Sequence, residues 1–182
     1  MEIGKRKWKR MEHGPIEGSI VDYLEKMFEE LIEAGLDFKV CVGTDSQRKG
    51  KGYNFSTVIV VATSENLGRD KLSGEDIMIG RGCKVMGCRY FSDKYPKNKD
   101  GVKERMMFEV ANSIDAAYEI SPLLDRYHVK LEIHADISPD VKWESNKALN
   151  EAVGYILGMG YDFRVKPDAW AATKSADKVS RH

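Results

Sequence analysis

At Gly101 the hydrophobic rhythm of this chain changes, and the change narrows the folds open to it. Before it lie three β-rich runs: FKVCVGTDSQ from Phe38, NFSTVIVVATS from Asn54, and the Gly-punctuated DIMIGRGCKVMGCRYF from Asp76. After it Val102, Met106, Val110, Ile114 and Ala117 form one stripe at helical spacing, and Pro122 marks the expected end of that helix. A strand follows from Val129 (VKLEIHADIS), then a helix from Lys142, a strand from Tyr161 (YDFRVKP) and a helical stretch over 168–182. Ahead of the first strand, Ile20, Leu24, Met27, Phe28, Leu31 and Ile32 recur at spacings of three and four, and Gly35 supplies a stop.

Strands with hairpin-length connections pair as an antiparallel meander, whereas strands separated by helices are joined by right-handed parallel crossovers. The order predicts an α/β fold with a mixed five-stranded sheet, an antiparallel meander of three strands plus two parallel strands, and helices on both faces. The first strand is expected to break off at Gly43 into a polar tip, with RKGKGY as the turn to the second. A basic N-terminal segment and leading helix take up 1–37, and a single domain takes up 38–182.

Composition excludes several classes. No apolar run approaches the roughly 20 residues a membrane span needs, so a cytoplasmic protein is expected. Cys41, Cys83 and Cys88 cannot all pair and are expected to be free thiols. A zinc site at Cys83 and Cys88 lacks a second close pair of ligands. Lys plus Arg and Asp plus Glu both total 29, so no global positive field marks a nucleic-acid binder. One local cluster, Lys5, Arg6, Lys7, Lys9 and Arg10 around Trp8, reads either as a phosphate- and base-contacting element or as a solubilising tail.

The carboxylates carry the chemistry. Asp45 directly follows the apolar strand Val40–Thr44, and Asp136 holds the equivalent place after Leu131–Ala135. If those strands are parallel neighbours, both acids emerge at one sheet edge, where like charges are costly unless a cation lies between them. Glu109 sits beside the apolar stripe of its helix, an expensive place for a carboxylate unless it is paired or liganded. Each acid alone also reads as a turn cap or an ion-pair partner. Asp168, after Pro167, reads as the N-cap of the last helix.

Together these residues resemble the ribonuclease H-like superfamily, whose pattern matches Asp45 in VGTDSQ, Glu109 in RMMFEVANSI, Asp136 in IHADIS and Asp177 in KSADK. GTDSQ, FEV, His134-Ala135-Asp136 and VKPDAWAA look more closely like its YkuK-type family of predicted nucleases. The resemblance spans about 38–182 and implies a ribonuclease H-like domain there. It implies a divalent-metal-dependent nuclease acting on RNA or DNA, with Mg²⁺ or Mn²⁺ held by Asp45, Glu109, Asp136 and Asp177, and Asp168 as the other candidate for the fourth place. In that scheme Asp45 bridges two ions, one activating the attacking water and one stabilising the departing oxygen. Ser46, Gln47, His134 and Lys174 are the expected substrate contacts, with no obligate protein partner. The rival expectation is a non-catalytic nucleic-acid-binding or assembly module on the same fold. A phosphotransferase of the actin type would need a second domain and a phosphate loop that the chain lacks.

Overall fold

The computed structural model describes residues 6–11, 13–95, 99–138, 140, 146–176 and 178–179. The elements, in order, are β1 (Lys9–Arg10), β2 (Gly14–Pro15), α1 (Ile20–Glu33), β3 (Asp37–Lys49), β4 (Gly52–Arg69) and β5 (Asp76–Ser92). Then come α2 (Lys99–Tyr127), β6 (Leu131–Ala135), α3 (Asn146–Gly158), β7 (Asp162–Arg164) and a π-helical segment, Ala171–Ala176.

The sheet runs β2-β1-β5-β4-β3-β6-β7. Its central five strands are those expected: β3, β4 and β5 pair antiparallel, and β6 and β7 run parallel beside β3. The total is seven rather than five, because the N-terminal residues add two short strands to the outer edge of β5. Trp8, at the head of this addition, is 4 % exposed and packs with Ile20, Met27 and Met86. Both readings of the basic terminus need correcting over Arg6–Met11. Burying an indole against α1 and β5 outweighs leaving it in water, and Arg6 pairs with Glu119 on α2 at 3.3 Å.

Two further expectations change. β3 does not break off at Gly43 but stays paired with β4 as far as Lys49↔Gly52, where Gly50 takes φ +57° in a two-residue turn. Polar side chains do not end a strand whose backbone bonds are met on the neighbouring strand. Likewise α2 continues past Pro122, because Ile120, Leu123 and Leu124 extend its buried stripe beyond the proline. That burial outweighs the one lost backbone bond.

Side chains alternate across β3, so Val40 and Val42 face α1 and α2 while Cys41 faces the other way. The three longer helices cover the first face, with α3 packed on α2 through Ala152 and Ile156. The π-helical segment covers the second, setting Ala171 and Ala176 against Cys41, Val58 and Val60. Small residues there allow close approach to the sheet. Helices therefore lie on both faces. No helix among the described residues is long and apolar enough to cross a membrane.

Candidate metal centre

Thr44↔Ala135 is the last paired position between parallel β3 and β6, so Asp45 and Asp136 are the next residues on two adjacent strands. Such strands lie about 4.8 Å apart. Behind Asp45, a chain of hydroxyls fixes α2 to the sheet: Ser113 Oγ lies 2.9 Å from Thr44 Oγ1, which lies 2.9 Å from Thr57 Oγ1. This contact sets the height of Glu109, one helical turn earlier on α2.

Glu109 is 5 % exposed. Burial is the main influence on its carboxyl and raises it; Arg105 opposes that, Asp45 raises it again, the Ser46 hydrogen bond lowers it and Asp136 raises it, leaving it at about 8. Both aspartates are therefore close enough to push on the buried Glu109. Three acids face the same end of the sheet, near enough to feel one another's charge.

Asp136 Oδ1 is shut off from solvent and has no hydrogen-bond partner, although Lys166 Nζ stands 2.9 Å away. The ammonium is at ion-pair distance but outside hydrogen-bonding angles. A carboxylate oxygen with an ion-pair partner but no hydrogen bond, beside a buried, repelled carboxyl, is an arrangement that a divalent cation relieves, and Mg²⁺ and Mn²⁺ favour such oxygen donors. The donor chemistry of these residues fits the metal, although the oxygens of the three acids are not gathered within 4.8 Å of one another.

The other expected site residues divide. Ser46 Oγ donates to Glu109 Oε1 at 2.5 Å and receives Arg105, whose guanidinium also donates to Glu109 Oε1 at 2.8 Å. Its hydroxyl is thus turned to the acid. Gln47 is half-buried opposite Asn54, and Lys174 is exposed on the π-helical segment. His134 is fully buried: Nδ1 accepts the Ala171 N–H at 3.1 Å, which places its proton on Nε2, 3.3 Å from Glu132 Oε2. Burial holds this imidazole below its usual range. It ties the π-helical segment to β6 and has no open side toward a substrate. Asp168 is exposed in the turn before Trp170, two residues from the first helical position and so not its cap. Asp177 lies outside the described residues.

Sequence reasoning missed Arg105 and Tyr53, which stack with the guanidinium carbon 5.0 Å from the ring centroid. Arg105 precedes Glu109 by one helical turn, a spacing that could have revealed it. Among the described residues, the group whose ligand atoms do lie within 4.8 Å of one another is Cys41, Glu132 and His134, on the π-helical side of the sheet. Burial opposes ionisation of Glu132, but Lys39 at 3.1 Å and His134 hold it down to about 2, while burial and the Glu132 charge push the Cys41 thiol up to about 12. Arg164 adds a further cation to Glu132 at 3.4 Å. A protonated thiol, a neutral imidazole and a neutralised carboxylate make this cluster a structural network.

A family model described as Ribonuclease H-like matches residues 75–181, a span that holds Glu109, Asp136 and Asp177 but not Asp45. No curated protein and no solved structure matches the chain. With the family model matching more than half of the chain, and a three-strand meander continued by two parallel strands beside β3, the chain belongs to the ribonuclease H-like family.

Proposed function

We propose that the protein is a divalent-metal-dependent nuclease that hydrolyses phosphodiester bonds in RNA or DNA. The observation that carries this reading is the buried carboxyl of Glu109, raised to about 8 with both Asp45 and Asp136 pushing on it. Three acids at such cost to the fold have a reason to be there if a cation belongs among them. Asp45, Glu109 and Asp136 would hold Mg²⁺ or Mn²⁺, with Asp177 as the proposed fourth ligand. Bound there, the metal supplies activation of water and neutralisation of charge on the phosphate and the departing oxygen.

The chain's own residues prepare that place. Ser46 fixes the rotamer of Glu109 by donating to Oε1, and Arg105 neutralises the same oxygen. Lys166, half-exposed beside Asp136, is positioned to exchange its carboxylate partner for a substrate phosphate. Thr44, Ser113 and Thr57 hold α2 and β3 in register, so that side-chain rotation alone is left to bring the acids onto a common ion.

A panel of labelled RNA, DNA and hybrid substrates with Mn²⁺ or Mg²⁺ tests this against Asp45→Asn and Asp136→Asn. Cleavage of at least one substrate, abolished in both variants, is expected. No metal binding by the wild type, or undiminished cleavage by Asp45→Asn, defeats the reading. The rival, a non-catalytic module, draws support from Arg105 and Lys166, which already neutralise two of the acids. Calorimetric titration with Mn²⁺ separates the two readings, since the rival gives no acid-dependent heat.

A further inference from the structure

The π-helical side of the sheet is covered along β5 as far as Gly87, where Val179 packs so closely that a Cβ would stand 2.8 Å from its Cγ1. The next two residues on that face, Arg89 and Phe91, are exposed, Phe91 by 50 %. Arg89 pairs with Ser56, which pairs with Asp45, so Arg89 and the acidic edge share one cross-strand row. Phe91 lies in the next row but one, through Asn54 to Gln47.

Phe91 is held in place. Its Cζ would lie 2.8 Å from a Cβ on Gly52, a buried residue at the start of β4, so the ring rests where only glycine leaves room. One side of the ring is thus packed and the rest open to solvent. Around it cations predominate: residues 46–56 carry Arg48, Lys49 and Lys51 and no acid, and Arg89 adds a fourth cation against one neighbouring acid, Asp93. In a chain whose charges otherwise balance, that makes a local anion-binding surface with an aromatic platform at its centre.

The geometry points to a single-stranded nucleic-acid subsite on this surface, with Phe91 stacking on an unpaired base and Arg89 and Lys49 meeting the adjacent phosphates. An aromatic platform needs a base with a free face, which unpaired nucleotides offer and a stacked duplex does not. A protein partner would require a wider apolar rim than one ring among cations. The inference rests on the reading of the acids as a nucleic-acid site, and it deepens that reading by naming single strands as the preferred substrate. The subsite leads a strand across β5 and β4 toward Asp45.

The test is fluorescence anisotropy with the full chain, metal chelated, and short labelled single strands of RNA and of DNA, each compared with its duplex. Single strands should bind more tightly than duplexes. Phe91→Ala should weaken single-strand binding by roughly 5- to 100-fold and Phe91→Tyr should restore it. Arg89→Ala, an exposed change that leaves the fold untouched, should weaken binding and lower the salt slope by about 1. Unchanged single-strand affinity in Phe91→Ala, in a variant that melts like wild type, overturns the inference, as do duplexes bound more tightly than single strands. Cleavage by wild type with binding indifferent to Phe91 leaves the nuclease and removes the subsite. Phe91-dependent binding without any cleavage leaves the subsite and removes the nuclease.

Discussion

Ser46 Oγ donates a 2.5 Å hydrogen bond to Glu109 Oε1 across 63 residues of sequence, joining β3 to α2 at the acidic edge. The hydroxyl faces an acid, and its loss acts on stability before it acts on substrate. Ser46→Ala should destabilise the fold by about 1–3 kcal/mol, because Glu109 loses a donor in a buried place. Urea unfolding measures this, and Ser46→Thr should recover most of it. A variant with unchanged stability and a raised KM would instead return Ser46 to the substrate.

Asp45 and Asp136 both push on Glu109, so removing one charge relieves the metal-free protein. Asp45→Asn should melt no lower than wild type in EDTA. Wild type should gain about 2.7 kcal/mol when Mn²⁺ is present at a hundred times its dissociation constant, and the variant should gain far less. Calorimetric scans with and without metal check both statements; equal gains in the two proteins would place the ion elsewhere.

The meeting of Asp45 and Asp136 was legible because each acid directly follows an apolar run and a helical crossover brings those runs together in parallel, which β3 and β6 do in register up to Thr44↔Ala135. Glu109 was legible from its helix face. Arg105 was legible only as a neighbour one turn before Glu109, since only the fold shows that its guanidinium reaches both Ser46 and Glu109. Trp8 misled for a physical reason: an aromatic flanked by cations has the same local pattern whether it stacks on a base, hangs in solvent or fills a gap between α1 and β5. Strand alternation puts His134 on the face of Asp136, but it says nothing of the Ala171 N–H and Trp170 that enclose the ring.

The thiols should separate by burial. Cys41 is buried and pushed up to about 12, Cys88 to about 11, and Cys83 is exposed. At pH 8 a thiol with the Cys41 value is ionised in about one molecule in ten thousand. A disulfide-exchange reagent should therefore label Cys83 rapidly in the native protein and reach Cys41 only on unfolding. Peptide mapping after a timed quench identifies the modified residue, and early modification of Cys41 would mean that the π-helical segment opens readily.

Glu132 sets the acid limit of the network around His134. Its carboxyl is held down to about 2 by Lys39 and His134 despite its burial. A depressed carboxyl contributes stability above its ordinary range and loses it as pH falls, here between about 4.5 and 2. Unfolding free energy should thus decline through that window, and Glu132→Gln should flatten the decline while lowering stability at neutral pH. Urea titrations at stepped pH give both curves; parallel curves for the two proteins would assign the acid limit to other groups.

Trp8 decides whether the N-terminal segment belongs to the domain. Its ring is 4 % exposed among Ile20, Met27 and Met86, and Ile16 N–H returns to Trp8 O at 3.0 Å to close β1 on β2. Truncation to alanine leaves a cavity, so Trp8→Ala should cost about 3–5 kcal/mol. The indole Nε1 is buried without a hydrogen-bond partner, so its loss carries no penalty of its own. Trp8→Phe, which keeps much of the apolar volume and discards that orphaned N–H, should therefore cost less than about 1.5 kcal/mol. A tail that lies outside the fold would give no loss in either variant, and urea denaturation distinguishes the two cases directly.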